Sequence, residues 1–273
     1  MPSHKQFTNL IQVFDDTVQR RGVKPCFRFV EEGTWKTLSW FEARERVVAL
    51  AGALHGVGVK QGDRVGIFSK TRLEWTLADL GILACGAVSV PLHDSSSVSQ
   101  IKHIILHADL HVIFVENEIL FQKVVRLQDE IPHPLQVICF ESVSSHAGKF
   151  EPWSLKQFCS LNKDRAELIY QEFLQSLEPS SIASIVYTSG TTGEPKGVTL
   201  RHSHFLAEME AAVKVFQFEL DQVTLVFLPF AHILGRVAQF FHITTGYIQC
   251  FVESLDKMTD NMIAVRPHFM VSV

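Results

Sequence analysis

The residues best suited to chemistry lie in one run, Tyr187-Thr188-Ser189-Gly190-Thr191-Thr192-Gly193-Glu194-Pro195-Lys196-Gly197-Val198. Its glycines let a backbone approach a ligand closely and take up positive φ. Thr188, Ser189, Thr191 and Thr192 offer hydroxyl donors, and Lys196 adds a compact positive charge. Together these groups make a cradle for a polyphosphate. The run is not a Walker A loop, which closes G-K-[ST]: here Pro195 precedes the lysine and Gly197 follows it. That argues against a phosphotransferase working in kinase fashion. A mere flexible turn has no need of a hydroxyl run closed by Pro-Lys-Gly.

Other arrangements carry less. His103, His107 and His111 recur every fourth residue, but without an H-E-x-x-H pattern or a nearby cysteine they read as a solvated helix face, and no metal site is expected. His202 and His204 flank Ser203, which reads as a helix N-cap with the histidines as surface neighbours. The glycines at 56, 58 and 62 have G-x-G-x-x-x-G spacing between a helix and a strand, so they mark a helix stop rather than a dinucleotide site. Cys26, Cys85, Cys139, Cys159 and Cys250 form no C-x-x-C pair and read as small core residues in a reducing compartment. No G-x-S-x-G elbow occurs, which argues against that class of serine hydrolase.

The elements that must position the loop follow from patterning. With 273 residues and 47% apolar composition the chain can bury a sizeable core as one large domain or two ordinary ones. Its net charge of −4 gives no basic excess for nucleic acid. Leu77 to Leu92 is too interrupted to span a membrane, and Met1 leads into polar residues rather than a signal core. Ser39-x-x-Glu42, Thr71-x-x-Glu74 and Ser97-x-x-Gln100 predict three capped helices. Apolar runs at 65–68, 87–90, 112–115 and 137–140 predict strands between them, which is the alternation of a doubly wound parallel α/β sheet. After a polar connection and a helix over 163–177 come strands at 183–188 and 198–200, a helix over 203–216 and a strand at 224–228. Residues 1–180 therefore read as a first α/β subdomain with its connecting segment. Residues 181–273 read as the start of a second that carries the phosphate loop. His268 to Val273 reads as a buried strand.

The loop resembles the signature of the adenylate-forming, or AMP-binding, enzymes, whose Thr-Ser-Gly-Thr-Thr-Gly-x-Pro-Lys-Gly pattern it matches without a departure. Gly62-Asp63-Arg64-Val65 and the stretch from Ala78 to Leu92 resemble the amino-terminal lobe of that family. Leu228-Pro229-Phe230-Ala231-His232 through Arg236 resembles the Leu-Pro-x-Ala-His-x-x-x-Arg segment of its long-chain fatty acyl-CoA synthetase branch.

The resemblance implies two steps: a fatty carboxylate and Mg-ATP give acyl-AMP and pyrophosphate, then coenzyme A takes the acyl group. It implies nucleotide binding by Thr188, Ser189, Gly190, Thr191, Thr192, Gly193 and Lys196, with Mg²⁺ sharing the charge. It implies substrate binding by His232 and Arg236; from the residues alone, the weaker alternative for His232 is packing at a helix start, and Arg236 reads equally as holding a carboxylate or pairing with a surface acid. Phe230, Phe240 and Phe241 read as core before they read as an acyl channel. The family's adenine-binding motifs and catalytic lysine have no matching positions here. The chain is therefore expected to be inactive or weakly active alone, with a separate polypeptide as one source of the missing half. A non-catalytic gene fragment or an acyl- or nucleotide-binding partner protein is the alternative. The expected location is cytoplasmic, with peripheral contact at the inner face of a membrane.

Overall fold

The structure is a computed structural model that describes residues 6–144, 149–188, 194–216 and 219–272. The chain runs α1 (Leu10–Arg21), β1 (Pro25–Glu31), β2 (Thr34–Ser39), α2 (Trp40–Gly56), β3 (Arg64–Phe68), α3 (Leu73–Ala84), β4 (Val88–Leu92), α4 (Val98–His107), β5 (Val112–Val115) and α5 (Glu118–Val125). It continues through β6 (Gln136–Cys139), β7 (Trp153–Ser154), α6 (Leu155–Phe158), α7 (Lys163–Ser176), β8 (Ile182–Thr188), β9 (Lys196–Arg201) and α8 (His202–Val215). β10 (Val223–Val226), α9 (Ile233–Thr245), β11 (Ile248–Phe251) and α10 (Met258–Val265) complete it.

A seven-stranded sheet has the order β7-β6-β5-β3-β4-β8-β9 and is parallel except at the β8–β9 pair. The expected α/β class and mostly parallel winding are therefore present. A second sheet, β10-β11-β1-β2, is parallel at β10–β11 and β11–β1 and antiparallel at β1–β2. The boundary expected at 180/181 does not separate these sheets: β8 and β9 extend the first, and β1 and β2 complete the second. The segment before residue 181 is no edge of a core: its helix α7 packs on α2 and buries Ile169, Tyr170 and Phe173 in the main core. The β1–β2 hairpin turns on Glu32 and Gly33, both at positive φ, which is the two-residue geometry that matches strand twist.

Ser39 and Ser97 each cap a helix in a full box with Glu42 and Gln100. The third expected box fails. Arg72, not Thr71, is the N-cap of α3, because the Thr71 hydroxyl is engaged across the molecule. Apart from Glu74, every residue of α3 is buried, as an all-round apolar helix should be. It lies among α1, α2, α7 and strands β3 and β4. Gly81 permits the close approach of α2, since a methyl group there would stand 2.6 Å from the Leu50 Cβ. Gly58 and Gly62 both have positive φ after α2, so the glycine run is a helix stop and turn.

The cysteines are free, four of them buried, and burial pushes the Cys85, Cys139 and Cys250 thiols up to about 12. Residues 268–272 do not form the expected strand; one isolated bridge joins Phe269 to Thr224, and the segment is only partly covered. Val273 lies outside the described residues. Among the described residues no helix is long and apolar enough to cross a membrane.

Candidate functional site

In a wound α/β sheet the chain leaves each parallel strand at one common edge, and ligands bind there because helix amino-termini and loop N–H groups face it. That edge is built here from Ser69-Lys70-Thr71 after β3, His93-Asp94 after β4, Glu116 after β5 and Thr188 at the end of β8. Glu116 is 3% exposed. It accepts hydrogen bonds from the Lys70 N–H (2.8 Å) and the Ser69 hydroxyl (3.2 Å) and pairs with the Lys70 ammonium at 3.2 Å. Arg72 continues the network to Glu74 and Glu141. Burial opposes its charge, but those carboxylates outweigh burial and hold its pKa above the usual arginine value.

Thr71 joins this edge to the second sheet. Its hydroxyl donates to the Leu228 carbonyl (2.7 Å) and accepts from the Phe230 N–H (3.0 Å), anchoring the turn that leads into α9. His232 is the exposed N-cap of α9, and its ring stands 5.1 Å from that of His93. A Cβ at Gly235 would overlap the Pro229 carbonyl oxygen, so the turn folds back on the helix only with glycine there. Lys70, Thr71, His93, Asp94, Pro229 and Glu253 line a cavity of about 260 Å³ between the two sheets.

The Gly/Thr-rich run expected to bind phosphate joins β8 to β9. Thr188 and Lys196 are register partners and both are exposed, which brings the two shoulders of the loop together. Ser189 to Gly193, the centre of the expected site, lie outside the described residues. Each shoulder is held by a histidine from α4: the His103 Nε2–H donates to the Pro195 carbonyl (2.9 Å), and His107 Nδ1 bonds the Tyr187 hydroxyl (2.7 Å). The two rings stack at 5.4 Å. His107 is exposed, as its spacing suggested, but His103 is half-buried, and both are engaged with the loop's shoulders rather than left to solvent alone. Partial burial pushes the Tyr187 phenol up to about 12, so it stays protonated beside its partner.

Arg236 is not in the cleft. It is completely buried and ion-paired with the equally buried Asp79 of α3, whose second oxygen accepts from Gln239 (2.9 Å). Its guanidinium lies 5.2 Å from the Trp75 ring centre and 5.0 Å from that of Phe240. The acid pairing that its spacing allowed is realised with a core acid instead of a surface one, because one helical turn beyond His232 the side chain points at α3. Phe230, Phe240 and Phe241 are core residues, as expected.

His204 is exposed, as expected, but His202 and the N-cap are not where the sequence put them. Arg201 is the N-cap of α8 in place of Ser203, with the His204 Nδ1 accepting from the Arg201 N–H. His202 is buried, its Nδ1 accepts from the Leu10 N–H at 3.2 Å, and burial holds its pKa down to about 4. His242 is also buried, stacked on Trp40, and held to about 3.

Glu116, Arg72, Thr71, His103 and His107 are contributors that sequence reasoning missed. The four-residue spacing of the two histidines was the one visible signal.

A family model described as AMP-binding enzyme matches residues 14–273. The long-chain-fatty-acid–CoA ligase FadD15 of Mycobacterium tuberculosis is 33% identical over 250 residues, which cover 89% of this chain and 40% of that protein. The peroxisomal long chain acyl-CoA synthetase 6 of Arabidopsis thaliana is 31% identical, over 88% of this chain and 34% of the relative. The chain thus spans about two fifths or less of these relatives. Among solved structures, the long-chain-fatty-acid-CoA ligase FadD1 of Archaeoglobus fulgidus superposes with a TM-score of 0.79 at 17% identity, over 98% of this chain and 52% of that one. The N-terminal domain of FACL13 from Mycobacterium tuberculosis superposes with a TM-score of 0.73 at 16% identity, over 94% and 61%. At these identities the superpositions speak for the fold.

Proposed function

Because the chain belongs to the AMP-binding enzyme family, we propose that it is the phosphate-holding portion of a long-chain fatty acid–CoA ligase. The observation that carries this reading is the antiparallel β8–β9 pair, which sets Thr188 opposite Lys196 across a Gly/Thr loop whose shoulders are held by His103 and His107. The likeness to FadD15 supports the long-chain substrate.

In the proposed reaction a fatty carboxylate oxygen attacks the α-phosphorus of ATP, the bond to the β-phosphate bridging oxygen breaks, and acyl-AMP and pyrophosphate form. The thiol sulfur of coenzyme A then attacks the acyl carbonyl carbon, and AMP leaves with the carboxyl oxygen. The protein's part is positioning and charge. Residues 188–193 donate to the β- and γ-phosphates, and the Lys196 ammonium offsets charge gathering on the leaving pyrophosphate. Thr188 supplies an exposed hydroxyl oxygen, the donor type that a hard cation takes, and Mg²⁺ bound among such oxygens would neutralise polyphosphate charge. His232, at the start of the 13-residue α9, lies where a helix amino-terminus favours an anionic group, with His93 opposite. Arg236 acts from behind, tying α9 to α3 through Asp79.

The test is titration of the chain with a fluorescent ATP analogue, followed by ATP–pyrophosphate exchange with palmitate. Binding that weakens by about tenfold or more in Lys196→Ala is expected, the size of a lost charge-assisted contact. Absence of ATP binding in the unaltered chain overturns the reading. Binding without exchange, even when a carboxy-terminal portion of a relative is supplied, favours a nucleotide-binding protein instead.

A further inference from the structure

The opposite edge of the seven-stranded sheet, where β3, β5 and β6 begin, gathers a second group of chemically active side chains. Helix α4 is capped by Ala108, and Asp109 follows at a φ of +52. His111 stands just before β5, and His133 lies in the connection before β6. The three side chains converge: Asp109 Oδ1 is 3.3 Å from His111 Nε2 and 4.0 Å from His133 Nε2, and the imidazole centres are 4.3 Å apart. One donor atom from each of the three lies within 4.8 Å of the others.

Two further observations set this group apart from a casual surface cluster. The carboxylate is already oriented: Arg64 donates to Asp109 Oδ2 at 2.7 Å and, through its Nε, to the Ala108 carbonyl at 2.7 Å, which leaves Oδ1 facing the imidazoles. His133 has its tautomer set as well. Its Nδ1–H donates to the Pro134 carbonyl at 3.3 Å, so Nε2 carries the lone pair, and that nitrogen is sealed from solvent with no hydrogen-bond partner. A carbonyl holding the far nitrogen of an imidazole is the support that metal-ligating histidines receive, and an orphaned acceptor in a closed place is satisfied by a donor or a cation.

We propose that Asp109, His111 and His133 form a binding site for a divalent transition-metal cation of the zinc type. Two imidazoles and one carboxylate are a zinc donor set; Mg²⁺, which takes oxygen ligands, is not served by it. Bonds of about 2.0–2.1 Å around a tetrahedral ion put neighbouring ligand atoms roughly 3.3 Å apart, the Asp109–His111 separation as it stands. His133 closes the set by a small ring movement. Asp109 and His111 also line a cavity of about 420 Å³ with Lys60, Asp63 and Arg64, which leaves room for water or a small anion as a fourth ligand. The bound ion would staple the α4–β5 connection to the α5–β6 connection, a role independent of the phosphate loop at the other edge.

The test is calorimetric titration of the metal-stripped chain with Zn²⁺, with Co²⁺ absorption as a reporter of tetrahedral nitrogen and oxygen ligation. One equivalent of Zn²⁺ is expected to bind, Mg²⁺ is not, and the thermal midpoint should rise with Zn²⁺. His111→Ala, at an exposed position where truncation leaves the core intact, and Asp109→Asn should each weaken binding about tenfold or more. His133→Gln should do the same, with an unchanged circular dichroism spectrum. His103→Ala, on the helix that leads to Asp109 but outside the site, should leave Zn²⁺ affinity unaltered. Absence of Zn²⁺ binding up to about 100 µM overturns the proposal, since such an affinity would be weaker than a built three-ligand site provides. Undiminished affinity in a His111→Ala/His133→Gln double variant also overturns it.

Discussion

The two edges of the seven-stranded sheet are made by the same strands and yet offer opposite chemistry. At the edge where β3, β4, β5 and β8 end, the described residues present hydroxyls and cations, with the deeply buried Glu116 already engaged by Ser69 and Lys70. At the edge where β3, β5 and β6 begin, it presents imidazoles and a carboxylate. The first suits a polyanion and the second a soft-to-borderline cation. Helix α4 serves both: His103 and His107 reach the phosphate loop, while Asp109 and His111, past the helix end, belong to the far edge. Equal spacing along the sequence therefore does not mean equal duty, because the left-handed turn at Asp109 ends the regular face on which the first two histidines lie.

The contrast can be broken most forcefully from behind the phosphate edge. Asp79→Ala leaves the Arg236 guanidinium charged and unpaired in the core, and unfolding free energy in urea should fall by about 3–5 kcal/mol. If the edges are independent, whatever folds should still bind Zn²⁺. Acid should act next. Burial holds His202 to about 4 and His242 to about 3, both below the ordinary 6.5. Between pH 6.5 and about 4 the unfolded chain takes up protons at these imidazoles while the native one does not. Their contribution is intact above 6.5 and is lost on acidification, at up to roughly 1.4 kcal/mol per pH unit for each. Urea midpoints at pH 7 and pH 5 measure this, and a His202→Gln variant should flatten the dependence.

Smaller effects sharpen the contrast. His107→Phe keeps the ring but loses the bond to Tyr187, and ATP-analogue affinity should drop about fivefold while Zn²⁺ affinity holds, the size of one hydrogen bond. A parallel loss of Zn²⁺ binding would mean that the edges are coupled through α4. Ser39→Ala removes the cap of α2 far from both edges; it should cost about 1 kcal/mol in thermal unfolding and change neither ligand.

Much of the fold was legible. The strand at 112–115 appears at its expected bounds, and β3, β4, β6 and β8 lie within a residue or two of theirs, because a short apolar run between turns is a local signal. Two of three capping boxes formed for the same reason. α1, β1, β2 and β11 were not anticipated. α1 is amphipathic with an Asn9 cap and was open to discovery, but β1 and β2 mix charged and apolar residues and gain their order from pairing, β1 with β11 and β2 with β1. Thr71 misled because a hydroxyl three residues before a glutamate can cap a helix or bond elsewhere, and a backbone 157 residues away decided the matter.

The sequence by itself determined the α/β alternation and the family, since each is written in contiguous residues whose chemistry does not depend on neighbours from afar. Tertiary structure alone decided that Arg236 belongs to the core, that His103 and His107 hold the loop, and that His111 parts from them to meet His133. Those outcomes depend on contacts such as Arg236 to Asp79, 157 residues apart, and His103 to Pro195, 92 apart. A side chain's partner at such range is fixed by how elements pack and where each helix stops, which no local pattern records.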